Sequence, residues 1–400
     1  MRVVITGLGV KSPLGCNLNE VFESIKTGKP CVGALENIDA GGFPMTAAGE
    51  IRQHGEVVKT PGSVDRKIHF LNLAMEQMLA EHNMSDKYSG NEMLMNLGTG
   101  LDYLDSENYF NSREYMKPFG SAIDSHQKAG RSMRELAIKF GISGGCNIFV
   151  AACAASSQAV GFSYKLLKKS LAKAVVTGGS DSMTSHAAYL GFFKLGAMAL
   201  SDEGPATCKP FDRYRTGTVV GEGAVTMTME RLEFATPDQV IMEVLGYGST
   251  ADAFAITDPD PSADMLARSI EIALKDAGVS PDQIDCAHLH GTGTPKNAPA
   301  EYLALKRVFG DRVKDLPVYS MKGQMGHLIG ACGAMELLGV AYSLLYQQVP
   351  HTVNFSESDP DAPLYVVSDK PLSMPVTHVL KLNASFGGHN TALILKKFEA

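Results

Sequence analysis

The chain predicts an α/β fold, and three observations carry that prediction. Short β-branched runs of strand character alternate with stretches of helical period. Glycine is one residue in ten, 40 of 400, against a usual share of about 7%, and much of it clusters between apolar runs, where turns are tight or backbones approach closely. In each half a short strand leads a reactive side chain to the start of an apolar helix, Cys153 in the first and Lys322 and His327 in the second, a pattern that suggests duplication.

The elements follow in order. Residues 3–5 form a buried strand, and Ser63 opens a helix carrying Ile68, Leu71, Met75 and Leu79 on one face. The run Asn147-Ile-Phe-Val150 is a strand. After Cys153 comes a helix with Ala159, Val160, Phe162, Leu166 and Leu167 on its apolar face. Residues 174–177 are a buried strand closed by Gly178-Gly179. The helix-like stretch 230–234 stops before Pro237, which places a linker at Ala235-Thr-Pro-Asp238 and divides the chain into halves 1–235 and 236–400. Residues 240–246 resume as a strand. Ser262 caps a helix that Gly278 ends, residues 284–290 alternate as a strand, and residues 318–320 lead through glycine-rich turns to a helix bearing Met335, Leu338, Ala341 and Leu345.

Composition narrows the function classes. With 44% apolar and 20% charged residues the chain is globular. A net charge of −7 argues against nucleic acid as the main ligand. The N-terminus reads as a strand rather than a leader peptide, and no apolar run reaches the roughly 18 residues of a membrane span. Seven cysteines, an odd number without a pairing pattern, fit reduced thiols in a cytosol.

Four places carry chemistry. Cys153, between a strand and a helix, is either a buried structural thiol or a nucleophile whose thiolate the helix N-terminus favours. His290-Gly-Thr292-Gly-Thr294 sets a proton donor beside hydroxyls at a strand end. His288 two residues earlier invites a zinc reading, but no third ligand or Cys-x-x-Cys supports it, and no metal is expected. Lys322 and His327, five apart on a glycine-rich turn, can point into one cavity, with Glu336 behind to hold Lys322. Phe386-Gly-Gly388 lets backbone N–H groups approach a reacting carbonyl, an oxyanion hole when paired with the Cys153 amide.

Together these residues resemble a β-ketoacyl-acyl-carrier-protein synthase of the thiolase superfamily, in the style of the long-chain type II condensing enzymes. The resemblance runs from Ile5-Thr-Gly-Leu-Gly-Val-Lys-Ser-Pro-Leu-Gly15 through Ala-Cys153-Ala, Pro210-Phe-Asp212, Gly221-Glu-Gly-Ala224, His290-Gly-Thr-Gly-Thr-Pro and Lys322-x4-His327 to Phe386-Gly-Gly. It implies a thiolase-like fold of duplicated α/β halves in five αβαβα layers. It implies that Cys153 takes an acyl chain as a thioester, and that His290 and His327 hold the malonyl thioester as carbon dioxide leaves. Lys322, tied to Glu336, orders the site. The Cys153 and Phe386 amides stabilise the oxyanion, and the Phe386 ring gates the acyl pocket. Thr292 and Thr294 bind the phosphopantetheine arm. That arm belongs to the carrier-protein substrate, so no cofactor of the enzyme's own is implied. The partners implied are an acidic acyl carrier protein, met by a basic patch at Arg66 and Lys67, and an identical or related ketosynthase subunit in a dimer.

The chain departs from the family at several points. Ala298 stands for an aspartate, Thr216 for another acid, Ser385 for a glycine and Met198 for an arginine. Leu101-Asp102-Tyr103 replaces Gly-Gly beside the acyl tunnel, so Leu101 and Tyr103 are expected to shape the acyl pocket. These changes favour a specialised polyketide or polyene role over housekeeping fatty-acid synthesis. The rival readings are a non-condensing chain-length-factor subunit, which typically lacks the cysteine, and a CoA-dependent thiolase, which uses another cysteine near the C-terminal loop, where this chain has none.

Overall fold

The computed structural model describes residues 1–43, 45–61, 64–102 and 129–399. The strands of its main sheet are β1 (Val3–Lys11), β2 (Met93–Thr99), β3 (Cys146–Val150), β4 (Ala174–Ser182), β5 (Glu222–Arg231), β6 (Met242–Ala251), β7 (Cys286–His288), β8 (Pro317–Tyr319), β9 (Tyr365–Val366), β10 (His378–Ala384) and β11 (His389–Lys396). The helices are α1 (Leu18–Thr27), α2 (Arg66–Glu81), α3 (Ala129–Lys139), α4 (Ala155–Lys168), α5 (His186–Lys194), α6 (Asp264–Ala277), α7 (Asn297–Phe309), α8 (Lys322–Met325) and α9 (Cys332–Tyr346).

The sheet order is β9-β8-β7-β10-β11-β6-β1-β5-β4-β2-β3. It repeats itself about the β6–β1 junction. On one side β3, β2 and β4 run parallel, and β5 and β1 follow antiparallel. On the other, β8, β7 and β10 run parallel, β11 and β6 follow antiparallel, and β9 is added at the edge. The duplication suggested by the two reactive strand–helix junctions is therefore present in strand order and sense.

Helix α4 packs on β2 and β4 and also reaches β6 and β11, while α9 packs on α4 and touches strands of both halves. Helix α2 covers β1 and β5 from outside, and α6 covers β6 and β11. The result is five layers, αβαβα, with α4 and α9 in the middle. Residues 329–346, ending with α9, are long and apolar enough to cross a membrane by composition, longer than the sequence reading allowed, and 89% of that stretch is buried inside the protein. An all-round apolar helix is what a central layer requires.

Local chemistry sets the ends. Asp65 caps α2 by accepting the Lys67 N–H at 2.8 Å, so α2 starts at Arg66; the expected start at Ser63 lies outside the described residues. Gly278, at φ 67°, ends α6 as expected. Other readings change. Residues 230–231 finish strand β5, and Leu232–Phe234 is only a single tight turn, because Val225, Met227 and Met229 alternate into the core with strand period. Helix α4 buries Ala159, Val160, Tyr164 and Leu167, whereas Phe162 is 39% exposed and meets Phe149 of β3. Leu345, expected on the inner face of α9, is also exposed.

Candidate active site

Strand β3 ends at Val150, and the chain turns through Ala152–Ala154 into α4, with Ala152 at φ 44°. This bend sets Cys153 at the helix start, facing a cleft of about 570 Å³ that includes its open mouth. His290, Thr292, Thr294, His327 and Phe386 also line it.

Two loops bring the histidines. His290 follows β7, and its N–H and that of Gly291 donate to the Glu301 carboxylate of α7 at 2.5 and 2.9 Å. His327 follows α8, and its Nε2 lies 3.0 Å from the Cys153 Sγ. The two imidazoles meet edge to face at 5.4 Å. On the far side of His327, Nδ1 accepts the Ile329 N–H at 3.2 Å and lies 2.9 Å from Cys332 Sγ, which itself accepts the Leu328 N–H. With Nδ1 so occupied, the ring proton sits on Nε2, toward Cys153.

Burial, reinforced by the Lys322 charge, holds both His290 and His327 well below the ordinary histidine pKa. They are neutral imidazoles, suited to donate a hydrogen bond rather than to carry charge. Burial also pushes the Cys153 thiol up to about 12, against the opposing pull of Lys322 and the Phe386 N–H. The helix N-terminus was expected to favour the thiolate; here desolvation outweighs it, and the resting group is a thiol.

Lys322 is fully buried and ion-paired to Glu336, and it donates to the His290 carbonyl. Burial opposes the charge of each partner, but their mutual attraction wins: Lys322 is raised, and Glu336 is held down at about 2. Phe386 sits in a turn that Gly387 permits, at φ 79°, and its ring stacks on Phe192 of α5 at the cleft. Its N–H points at the Cys153 sulfur. Thr292 and Thr294 join their hydroxyls at 2.8 Å, and Arg215 braces the Thr294 carbonyl at 3.1 Å.

The thiol of Cys153 and ring nitrogens of His290 and His327 lie within 4.8 Å of one another, so a thiophilic cation would find three donors here. His288, the residue that raised the zinc question in the sequence, is not among them, because its Nδ1 turns to the Leu289 carbonyl.

Three expected contributions lie elsewhere. Arg66 and Lys67, expected on a carrier-facing surface, are buried: Arg66 pairs with Glu222 and Lys67 with Asp181 at 3.5 Å. Helix α2 rolls this pair inward because each meets a buried carboxylate that needs a partner. Leu101 is half exposed, its carbonyl bonded to Lys67, and it does not line the cleft. Tyr103 lies outside the described residues.

Lys381 and Asn383 join the site without being expected from the sequence motifs. Both are on β10, both buried, and both face Glu336: Lys381 Nζ at 3.2 Å and Asn383 Nδ2 at 2.7 Å. Burial brings Lys381 down to about 8 despite the carboxylate. The available signal was a lysine and an asparagine two apart in an apolar strand, which puts both on one face.

Family models for the β-ketoacyl synthase N-terminal domain and C-terminal domain match residues 1–235 and 241–356. A 3-oxoacyl-acyl-carrier-protein synthase 2 of Synechocystis sp. is 30% identical, covering 100% of this chain and 98% of its own. Two solved structures superpose with TM-score 0.87, covering 100% of this chain and 99% of theirs. One is a type II PKS acyl-carrier protein in complex with its ketosynthase bound to the hexaketide, 26% identical. The other is the ishigamide ketosynthase/chain length factor, 28% identical.

Proposed function

This chain belongs to the β-ketoacyl synthase family, and on that premise we propose that Cys153, His290, His327 and Lys322 carry out decarboxylative condensation for a specialised polyketide or polyene pathway. The coarser activity, a 3-oxoacyl-acyl-carrier-protein synthase and so an acyltransferase, follows from the family. The observation that carries the proposal is the meeting of a thiol at a helix start with two neutral histidines at one cleft.

The Cys153 sulfur attacks the carbonyl of an acyl thioester, the carbon–sulfur bond to the pantetheine arm breaks, and the thiol proton ends on the departing sulfur. The His327 Nε2–H, 3.0 Å away, stabilises the thiolate as it forms. The Cys153 and Phe386 N–H groups take the oxyanion of the tetrahedral intermediate. A malonyl thioester then enters along Thr292 and Thr294. Carbon dioxide leaves, and the electron pair it releases makes an enolate whose oxygen accepts from His290 and His327. The enolate carbon attacks the acyl carbonyl, the carbon–sulfur bond to Cys153 breaks, and the sulfur leaves as a thiolate that takes a proton from solvent to restore the thiol. Splitting the condensation around a covalent thioester replaces one hard step with two easier ones. No cofactor beyond the carrier's arm is required.

The partners of this reading are an acyl carrier protein and a second ketosynthase-like subunit, the associations named for the two superposed structures. Strand β3 supports the second. It ends the sheet, and Val150 (50% exposed) and Phe162 leave an apolar edge there. With Arg66 and Lys67 buried, the carrier's basic contact falls to other residues.

Intact mass spectrometry tests the reading. Acyl-carrier proteins should load one acyl group on the enzyme, lost in Cys153→Ala, and malonyl-carrier protein should discharge it as an elongated product. A chain that forms no adduct with any acyl donor is a partner subunit instead.

A further inference from the structure

We propose that Lys381 and Asn383 are positioning residues that hold His290 as an Nε2–H donor toward the malonyl carbonyl. The inference rests on the role given to His290 above and names what fixes its proton.

The Asn383 side chain is read from both ends. Its Oδ1 accepts from Ser157 Oγ at 2.5 Å and from Lys381 Nζ. Its Nδ2 donates to Glu336 Oε2 at 2.7 Å and reaches His290 Nδ1 at 3.2 Å. Flipping the amide would set Oδ1 against the Glu336 carboxylate and Nδ2 against the Lys381 ammonium, two repulsions between fully buried groups. Lys381 and Glu336 therefore orient Asn383, and Asn383 presents an N–H to Nδ1. The other group beside Nδ1 is Lys322 Nζ at 3.4 Å, also a donor. With donors on that side, Nδ1 is an acceptor and the ring proton lies on Nε2. That is the tautomer an enolate oxygen needs, and the one the Ile329 N–H imposes on His327.

Lys381 is met from every side: Glu336 of α9, the Lys322 ammonium of α8, Ser157 of α4 at 2.6 Å, and His288 opposite it on β7. His288 Nε2 makes no hydrogen bond, and among the described residues Glu336 is the carboxylate paired with Lys381. It serves two lysines. Ser157 lies one helical turn beyond Cys153, so the network also ties the nucleophile's helix to the histidine's loop.

The test separates the half-reactions in the full-length enzyme with Asn383→Leu and Lys381→Met. Release of carbon dioxide from malonyl-carrier protein should fall about 10- to 100-fold, the range for a lost orienting partner, as a change in kcat with KM nearly constant. Loading of Cys153 from acyl-carrier protein, which does not use His290, should change less than about threefold, under one tenfold step of 1.4 kcal/mol. Equal loss in both half-reactions, or none in either, overturns the positioning role. A wild-type enzyme that releases no carbon dioxide overturns the ketosynthase reading itself. Should the variants not fold, ¹⁵N-histidine spectra of the wild type decide, with the signal assigned by His290→Gln: a protonated Nδ1 on His290 refutes the inference.

Discussion

Cys332 stands behind His327 as the nucleophile stands before it. Its sulfur accepts the Leu328 N–H, so its own S–H is left to donate to Nδ1 at 2.9 Å. We predict that Cys332→Ala, which deletes one neutral hydrogen bond of about 0.5–1.5 kcal/mol, slows acylation of Cys153 by roughly 2- to 12-fold, read by quenched-flow mass spectrometry. An unchanged rate removes Cys332 from the site. The nucleophile makes a second prediction. With its thiol pushed up to about 12 by burial, the thiolate fraction rises steadily with pH, so iodoacetamide should react about tenfold faster per pH unit from 7 to 10. A plateau near pH 8 would mean that the helix terminus and the His327 N–H beat desolvation after all. At this scale the sequence exposed what is contiguous. Cys153, His290, Lys322, His327 and Phe386 sit in motifs whose glycines and neighbours announce them. Lys381, Asn383 and Ser157 do not, because the contacts that give them meaning span 224 and 226 residues of chain. Arg66 and Lys67 misled for the same reason: a basic pair opening a helix looks solvated until the buried carboxylates Glu222 and Asp181 are placed beside it.

Helices α4 and α9 can share the middle layer only because they touch almost without side chains. A Cβ on Gly333 would lie 2.2 Å from Ser157 Oγ and 2.5 Å from its backbone nitrogen. Gly333→Val should therefore cost at least the roughly 1–3 kcal/mol of an overpacked core, seen as a lower urea midpoint, and should loosen Ser157 and with it Asn383. A midpoint equal to wild type would show that the helices have room to part. Strand β3 makes the opposite bet, being an edge left open. Val150→Lys places a charge on the apolar border where a second subunit would pair, and light scattering should then report a monomer with its acyl-loading site intact; a dimer that survives locates the interface elsewhere. Elements were legible wherever one period ruled. The apolar period of α4 covers a wider face than the helix buries: Phe162 is apolar, but it belongs to this edge and not to the core. The stretch 230–234 reads as a helix because a strand ending in a single turn mimics a short one.

The two halves share almost no visible sequence, yet they share strand order, strand sense and the position of their reactive junctions. Topology persists because it needs only apolar period and turns, which many sequences satisfy. Its consequence is that the catalytic groups collect at the centre of the molecule, and there the whole fold becomes sensitive to acid. His288 is brought down to about 3, and His290 and His327 lie well below 6.5, all chiefly by burial. The unfolded chain binds these three protons as pH falls through 6.5 and the folded chain does not. Stability from them is therefore full above 6.5 and lost below it. Glu301 opposes this: raised to about 7 by burial, it takes its proton in the folded state first, down to the unfolded value of 4.5. Among these four groups, three protons against one leave a net of two, so between pH 6 and 5 their share of the folding free energy should fall by roughly 3 kcal/mol per pH unit, at 1.36 per proton; His69, His351 and His378, also held low chiefly by burial, add to the fall, and Glu50, raised by burial, opposes it. His288→Gln removes one of the three without touching the cleft. Urea titrations at pH 7, 6 and 5 should show the variant losing less stability with acid than the wild type, by roughly 1.4 kcal/mol per unit. Parallel curves for the two proteins would mean that His288 takes up its proton in the fold as it does in the unfolded chain.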